Sequence, residues 1–377
     1  MRHSITLAAG ALLCVAACSD STGNRPAPSL TRSQEGADGF RDGALYTMTN
    51  AASGNEVLAF SRSENGSLSV AGTFATGGKG SGSTLSGAQG SLVLSRHDRF
   101  LFAVNAGSDQ LSLFAIEHDG LRLLDVQPSG GHGPISVTVH RRLVYVLNGA
   151  SGNVSGFMLE NGSLRPIPHS SRPVSGGAAA GSAQVAFSPD GETLVVTNKA
   201  TNVIDSYSVG KEGLLDGPRA NPSSGTTPFG FAFDERGILV VSEAFGGAAG
   251  QGAVSTYHVR ENGGLGVRSA SVKDGQSAPC WIAITDDGLV FTTNTASGTI
   301  SSYSLRRASA LTLLESVAGS TGGGPTDLAL SRGSRFLYAL VPGTESIKAF
   351  EVAEDGSLHT LGTTAVPAAS TSGLAAR

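Results

Sequence analysis

The chain has 377 residues, of which 15% are charged, and its formal net charge is −4. A charge this sparse and balanced is atypical of a nucleic-acid groove or a polybasic membrane patch, so we expect no nucleic-acid partner. Glycine makes up 52 of the 377 residues, about twice the usual share of about 7%, which favours a protein with many tight turns.

The first residues read as a targeting signal. Arg2 precedes a short apolar stretch from Ile5 to Ala17, and Val15-Ala16-Ala17-Cys18 resembles a bacterial lipobox. In lipoproteins of that kind the chain is cut before the Cys, whose thiol carries a diacylglycerol. We therefore predict a signal peptide at residues 1–17 and lipidation at Cys18. The alternative is an ordinary signal peptide with a chance cysteine.

The predicted location is the bacterial cell envelope. Ser19, directly after Cys18, resembles signals that send a lipoprotein to the outer membrane. Residues 18–42 are polar and are predicted to form a lipid-anchored flexible tether. No later apolar run approaches the roughly 18 residues that span a bilayer. The lipid is therefore the only predicted contact with a membrane.

From residue 43 onward the chain repeats one unit, seen most clearly at residues 128–167. A Gly-Pro loop precedes Ile135 to His140, and a basic turn leads into Leu143 to Leu147. Apolar residues alternate with small or polar ones at period two, and Asn161-Gly162 is a strong hairpin signal. The unit is predicted to be four antiparallel strands, named A to D from the start of each unit.

Seven copies of strand B can be recognised, which predicts an all-β fold, a seven-bladed β-propeller with four-stranded blades at residues 43–377. The residues predicted to end the B strands are Asn50, Asn105, Asn148, Asn198, Glu243, Asn294 and Val341. The first copy starts with strand B at Gly43 and lacks strand A. The segment from Ser370 to Arg377 resembles the start of an A strand, so we predict that the closing blade is built from both chain ends.

The two faces of the predicted ring differ. Short, charged A–B and C–D turns such as His97-Asp98 and Arg141-Arg142 lie on one face, and their composition is that of hairpin turns. The B–C and D–A loops lie on the other face, called here the loop face. Three of them are long: residues 76–88, 174–183 and 243–252. Function tends to lie on such loops, so a small ligand is predicted to bind at this mouth of the channel.

Few polar or aromatic groups are available there, and each has a structural alternative. The candidate ligand-binding residues are His132, Gln184, Lys199, Glu243 and Trp281. His132 would otherwise be a solvated loop residue and Lys199 a surface charge. Glu243, which stands where five other blades carry Asn, would otherwise cap its own loop, and Trp281 would pack between blades.

No cofactor or metal is expected. The eight histidines are scattered and lack paired ligand spacing. Cys280 is the only cysteine left after signal removal and lipidation, so no disulfide framework is predicted. A lone Cys in an inner strand is usually a small buried apolar residue rather than a nucleophile.

The repeat resembles the seven-bladed lactonase family, which includes bacterial 6-phosphogluconolactonases and fungal 3-carboxymuconate cyclases. The best single match is Gln184 to Asn198, QVAFSPDGETLVVTN. This chain departs from the family pattern at positions that are catalytic in the active members. Family members with the activity have Pro-His-Pro-His where this chain has His132-Gly133-Pro134-Ile135. They have Arg-His at Ala183-Gln184, Asn-Glu at Asn198-Lys199, and Glu at Gly230.

These substitutions leave three hypotheses. In the first, the protein is an exported lactonase-like propeller that has lost or rebuilt the catalytic set and binds a small sugar-like or acidic ligand, or a protein, on its loop face. The alternative is an active lactone hydrolase or cyclase that uses His132 and Glu243. A third hypothesis is a non-catalytic scaffold of the cell envelope.

Overall fold

A computed structural model describes residues 43–83, 89–305 and 310–377. Seven antiparallel sheets follow one another around a ring, so the prediction of a seven-bladed β-propeller is confirmed. The predicted signal peptide, Cys18 and the tether to residue 42 lie outside the described residues, as does the part of the loop after Thr76 that spans residues 84–88. Within the described segments, no helix has the length and apolar character needed to cross a membrane.

The strands of blades 1 to 4 are β1 Ala44–Met48, β2 Glu56–Arg62, β3 Leu68–Ala75, β4 Leu92–Leu94, β5 Phe100–Asn105, β6 Gln110–Glu117, β7 Gly120–Pro128, β8 Pro134–His140, β9 Leu143–Asn148, β10 Asn153–Glu160, β11 Ser163–Pro166, β12 Arg172–Pro173, β13 Ser182–Phe187, β14 Thr193–Asn198, β15 Val203–Val209 and β16 Leu215–Pro222. Those of blades 5 to 7 are β17 Pro228–Phe233, β18 Ile238–Glu243, β19 Ala253–Val259, β20 Leu265–Lys273, β21 Pro279–Ile284, β22 Leu289–Asn294, β23 Thr299–Ser304, β24 Thr312–Ser320, β25 Asp327–Leu330, β26 Phe336–Val341, β27 Ser346–Val352 and β28 Leu358–Ala365. The inner strand of blade 1 is β29, Ser372–Ala376. Short 3-10 helices occur at Gly177–Ala180, Lys211–Gly213, Phe245–Gly247 and Pro342–Thr344.

The two chain ends close the ring in blade 1, as predicted. The sheet has the order β29-β1-β2-β3, and Tyr46 pairs with Ala375. The Thr47 hydroxyl donates to the Gly373 carbonyl at 2.6 Å. The last strand thus supplies the A strand that the first repeat lacks.

Blade 3 departs from the simple repeat because its outer strand is interrupted. Both β11 and the two-residue β12 pair with β10. Pro166 and Pro168 lie at the break, and proline has no N–H to donate to a sheet ladder. The chain therefore leaves the sheet after β11 and returns at β12.

The apolar cores lie between neighbouring blades. Tyr145 of blade 3 packs edge-on against Phe187 of blade 4, with ring centroids 6.0 Å apart. The Tyr145 hydroxyl donates to the Gly213 carbonyl at 2.7 Å, so its polar end is also satisfied. A single sheet could not bury both faces in this way, which is why the repeats depend on each other.

The inner edges of the A strands face the channel and are paired by side chains. The Gln184 amide donates to the Phe231 carbonyl at 2.8 Å and accepts from the Phe231 N–H at 2.6 Å, linking blade 4 to blade 5. Gln89 of blade 2 makes the same two bonds with Ile282 of blade 6, at 2.9 and 3.3 Å. Blades 2 and 6 are not neighbours in the ring, so Gln89 reaches across the channel.

Asp327 of blade 7 holds the place in β25 that Gln184 holds in β13. Each lies opposite the last-but-one residue of its B strand. The Asp327 carboxyl is 3% exposed and accepts from the Leu328 N–H at 2.8 Å and from the N–H of Leu374 in β29. Burial raises the pKa of this carboxyl well above its usual range. A protonated carboxyl here resembles the Gln184 amide, and it joins blade 7 to the closing strand.

We predict opposite effects for Asp327→Asn and Gln184→Glu. The raised pKa keeps Asp327 protonated in the native protein at pH values where the unfolded chain, with a pKa of about 3.9, has lost the proton. The native state then binds more protons, so the free energy of unfolding falls as pH rises through this window. Asparagine cannot ionise, so Asp327→Asn removes this fall in the free energy of unfolding. The variant is expected to be more stable than the wild type at pH 7, by about 1–3 kcal/mol.

The mirror variant Gln184→Glu introduces a buried carboxyl and is expected to destabilise at pH 7 and to recover part of its stability near pH 4. Urea unfolding at both pH values measures the two effects. An Asp327→Asn protein with unchanged stability at pH 7 and an unchanged pH dependence would contradict a protonated carboxyl at this place.

Candidate functional site

Lys199 lies at the mouth of the channel on the loop face, directly after β14. Its ammonium group donates to the Ser182 carbonyl at 3.3 Å and lies 4.7 Å from the centre of the Phe229 ring. Burial lowers the pKa of Lys199 to about 8, against an opposing effect of the nearby Cys280. The side chain is only half-buried. Lys199 can therefore exchange a proton near neutral pH and remains open to solvent.

Cys280 lies beside Lys199 but is not a reactive thiol. It is 5% exposed, and its Sγ donates to the Ala278 carbonyl at 3.2 Å. Burial raises the pKa of the thiol to about 12. Because the thiolate is the nucleophilic form, Cys280 is unsuited to attack at neutral pH.

Trp281 packs inside the ring rather than on the rim. Its side chain is 1% exposed, and its ring lies 5.6 Å from that of Phe229 at an interplanar angle of 57°. The indole N–H has no hydrogen-bond partner within the described residues. Phe229 thus touches both Lys199 and Trp281. We call Lys199, Phe229, Cys280 and Trp281 the mouth cluster.

Gln184 and Glu243 have their polar atoms engaged within the protein. The Gln184 amide is paired with Phe231, as described above. The Glu243 carboxylate is fully buried and accepts from the Gly225 N–H at 2.8 Å and from the Ser255 and Ser271 hydroxyls at 2.5 and 2.6 Å. Glu243 therefore ties the loop before blade 5 to its own sheet. This is a structural role, but the loop that it holds is the preceding D–A loop and not its own B–C loop.

His132 lies on the loop face between blades 2 and 3. Its imidazole is 78% exposed, and Nδ1 lies 2.7 Å from Oδ2 of Asp109. The other oxygen of Asp109 accepts from the Gly133 N–H at 2.7 Å. The hydrogen bonds from His132 and Gly133 lower the pKa of Asp109. The structure thus gives His132 a carboxylate partner, but its contacts lie in other loops than those of Lys199.

The sequence hypotheses missed Phe229, Asp109 and Gln89. Phe229 precedes Gly230, a place already compared with the family's Glu, so the neighbouring residue offered a signal. Asp109 lies in a B–C loop 23 residues before His132, and nothing in the sequence links the two. Among the residues that the structure covers, no group of three or more His, Cys, Asp or Glu side chains is arranged to hold a metal ion.

Known structures with this arrangement of blades come from several bacteria. A candidate 6-phosphogluconolactonase of Bacteroides uniformis is 20% identical with a TM-score of 0.69, covering 86% of this chain and 96% of its own. One of Bacteroides fragilis is 18% identical with a TM-score of 0.66, covering 90% and 99%. The periplasmic gluconolactonase PpgL of Pseudomonas aeruginosa is 18% identical with a TM-score of 0.67, covering 88% and 98%. At these identities the likeness concerns the fold.

No curated protein matches the chain. The sequence does match a family profile along the whole propeller. The profile described as "Lactonase, 7-bladed beta-propeller" matches residues 41–175, 91–246 and 243–373, which overlap to cover nearly all described residues. Together with the seven blades and the closing strand, this match shows that the chain belongs to the family of seven-bladed β-propeller lactonases.

Proposed function

We propose that the protein hydrolyses a small sugar-derived lactone at the mouth cluster, with Lys199 as the general base. The family match and the gluconolactonase name of one structural neighbour support a lactone as substrate. An exported enzyme would meet little phosphorylated sugar, so an unphosphorylated aldonolactone fits the predicted location better than a phosphorylated one.

The observation that carries the proposal is the environment of Lys199. By resemblance, active family members have an acidic residue at this place, where it would serve proton transfer. An exposed lysine would be protonated at neutral pH, but burial lowers the pKa of Lys199 to about 8. A base is most effective when its pKa lies near the working pH. Lys199 can thus replace a carboxylate without restoring the family's sequence.

In the proposed reaction, Lys199 first accepts one proton and later donates it. The neutral amine of Lys199 takes a proton from water as the water oxygen bonds to the lactone carbonyl carbon. The ring C–O bond of the tetrahedral intermediate then breaks, and the leaving oxygen takes the proton from the Lys199 ammonium. The product is an open-chain hydroxy acid and the amine is regenerated. Phe229 supplies an apolar wall beside the base, and the buried Trp281 packs against Phe229 from inside the ring.

A second candidate function is binding of a sugar-like or acidic ligand without turnover. Two observations favour it: the Gln184 amide is occupied by Phe231, and the Glu243 carboxylate is occupied by three donors. In this case Lys199 acts as a cation for the ligand rather than as a base. The two candidates differ in what an arginine at residue 199 would do, since arginine keeps the charge but cannot lose its proton.

We predict that Lys199→Met and Lys199→Arg both lower kcat for glucono-δ-lactone hydrolysis by about 10²–10⁴-fold. In the wild type, kcat/KM is expected to rise with pH and to level off above about 8, because the neutral amine is the active form. A pH-stat assay corrected for spontaneous hydrolysis measures both effects. Lys273→Met is the matched control, since the Lys273 ammonium also lies over an aromatic ring, that of Phe245 at 3.6 Å, on the loop face.

Retained activity in Lys199→Arg, or a flat profile between pH 7 and 9, would remove Lys199 as the base. If the wild type opens no lactone but binds gluconate, and this binding survives in Lys199→Arg and not in Lys199→Met, the second candidate is favoured.

We also propose that the protein is a lipoprotein of the cell envelope, lipidated at Cys18. Only the sequence signal at residues 15–18 supports this. Wild-type protein produced in a Gram-negative host is expected to incorporate labelled palmitate and to fractionate with the outer membrane, whereas Cys18→Ser should do neither. Cys280→Ser should behave like the wild type. Labelling that persists in Cys18→Ser would rule out the site.

A further inference from the structure

Gln89 crosses the channel and is held at both ends. Its backbone carbonyl accepts from the Ser136 hydroxyl at 2.7 Å, and the Gly90 carbonyl accepts from the Val137 N–H at 2.8 Å, which fixes the backbone to blade 3. Its carboxamide makes the two bonds with Ile282 of blade 6 described above. These contacts hold the side chain across the channel.

The Gln89 carboxamide lies deeper in the channel than the Lys199 ammonium. Each A strand enters the channel from the loop face, so the register with strand B measures depth. The Lys199 ammonium is bonded to Ser182, which pairs with the last residue of β14. Ile282 pairs with Thr292, two residues before the end of β22. At about 3.3 Å per residue, the Gln89 carboxamide is roughly 6–7 Å further from the mouth.

Gly230 leaves room for this carboxamide beside the mouth cluster. A Cβ atom at Gly230 would overlap with Oε1 of Gln89 and with the carbonyl oxygen of Cys280, so a larger residue would displace one of them. By resemblance, active family members have Glu at this place. Here a glycine stands there, and the carboxamide of Gln89 lies in front of it. Because Gly230 directly follows Phe229, the carboxamide borders the mouth cluster on its channel side.

A ligand that extended past Gln89 would have to push its carboxamide aside. The N–H and carbonyl of Ile282 would then lose their partner at the inner edge of blade 6. Backbone groups left unpaired away from water are costly, so this displacement is disfavoured. The side chain is therefore a barrier to deep ligands and not merely a residue that lines the channel.

We propose that Gln89 is the floor of the pocket at the mouth cluster and limits the substrate to a lactone of monosaccharide size. The inference rests on the proposed function and specifies the substrate class of the same site. Gln89 acts by its position. Its carboxamide stays bonded to Ile282 and takes no part in the proton transfer by Lys199.

The test compares glucono-δ-lactone with cellobiono-δ-lactone, which has the same reacting ring and carries a second sugar. In the wild type, we expect kcat/KM to be at least tenfold higher for the smaller lactone. Gln89→Ala removes the floor and should raise kcat/KM for the disaccharide lactone at least fivefold. A variant that is only destabilised would not gain activity on a larger substrate. A pH-stat assay corrected for spontaneous hydrolysis measures both lactones.

Gln184→Ala is the matched control. Gln184 makes the same two bonds with Phe231, but it joins neighbouring blades and does not cross the channel. Both alanine variants should lose stability in urea, and only Gln89→Ala should gain activity on the disaccharide lactone. If Gln89→Ala does not fold, Gln89→Asn serves in its place, because it keeps an amide on a side chain that is one methylene shorter. It should also raise kcat/KM for the disaccharide lactone.

Equal kcat/KM values for the two lactones in the wild type would overturn the floor and leave the proposed lactonase intact. A folded Gln89 variant that keeps the wild-type preference would do the same, as would an equal gain in Gln184→Ala. A wild type that opens neither lactone would instead overturn the proposed function, and this inference with it.

Discussion

The structure depends on satisfying the inner edge of every A strand. In each blade this strand pairs with strand B on one side only, and its other edge faces the channel. Backbone N–H and C=O groups left unpaired away from water are costly, so they need partners. Gln184 and Gln89 supply amides for this purpose, and Ser242 donates its hydroxyl to the Cys280 carbonyl at 2.9 Å. Asp327 does the same at the closing strand.

This constraint limits which residues near the channel are free for chemistry. A side chain that pairs an inner edge has its polar atoms occupied, as the Gln184 amide shows. Lys199 differs because it follows strand B rather than lying in strand A. Its ammonium leans over Phe229 and reaches the Ser182 carbonyl, yet it keeps contact with solvent. The proposed base is thus a polar group at this mouth that is bonded within the protein and also remains accessible to solvent.

The fold was predictable because its signals are local and repeated. Period-two alternation and Gly or Asn turns mark the strands, and the missing first A strand together with the surplus last segment predicts the closure. The interruption after β11 was not foreseen, although Pro166 and Pro168 were visible in the sequence. Local signals predict elements, and the family resemblance added the expected function.

The site was less predictable because its contacts join distant residues. Gln89 and Ile282 are 193 positions apart, and only the ring brings them together. The partners of Glu243 come from three different segments of blade 5 and the loop before it.

Native-state hydrogen exchange followed by mass spectrometry tests the closed ring most directly. If β29 is the inner strand of blade 1, the amides of residues 372–376 should exchange as slowly as those of 44–48, and both should be exposed together by global unfolding. Rapid exchange of residues 372–376 while the B strands of the other blades stay protected would contradict the account. The tail would then be detached, and the contact between Asp327 and Leu374 would lose its basis.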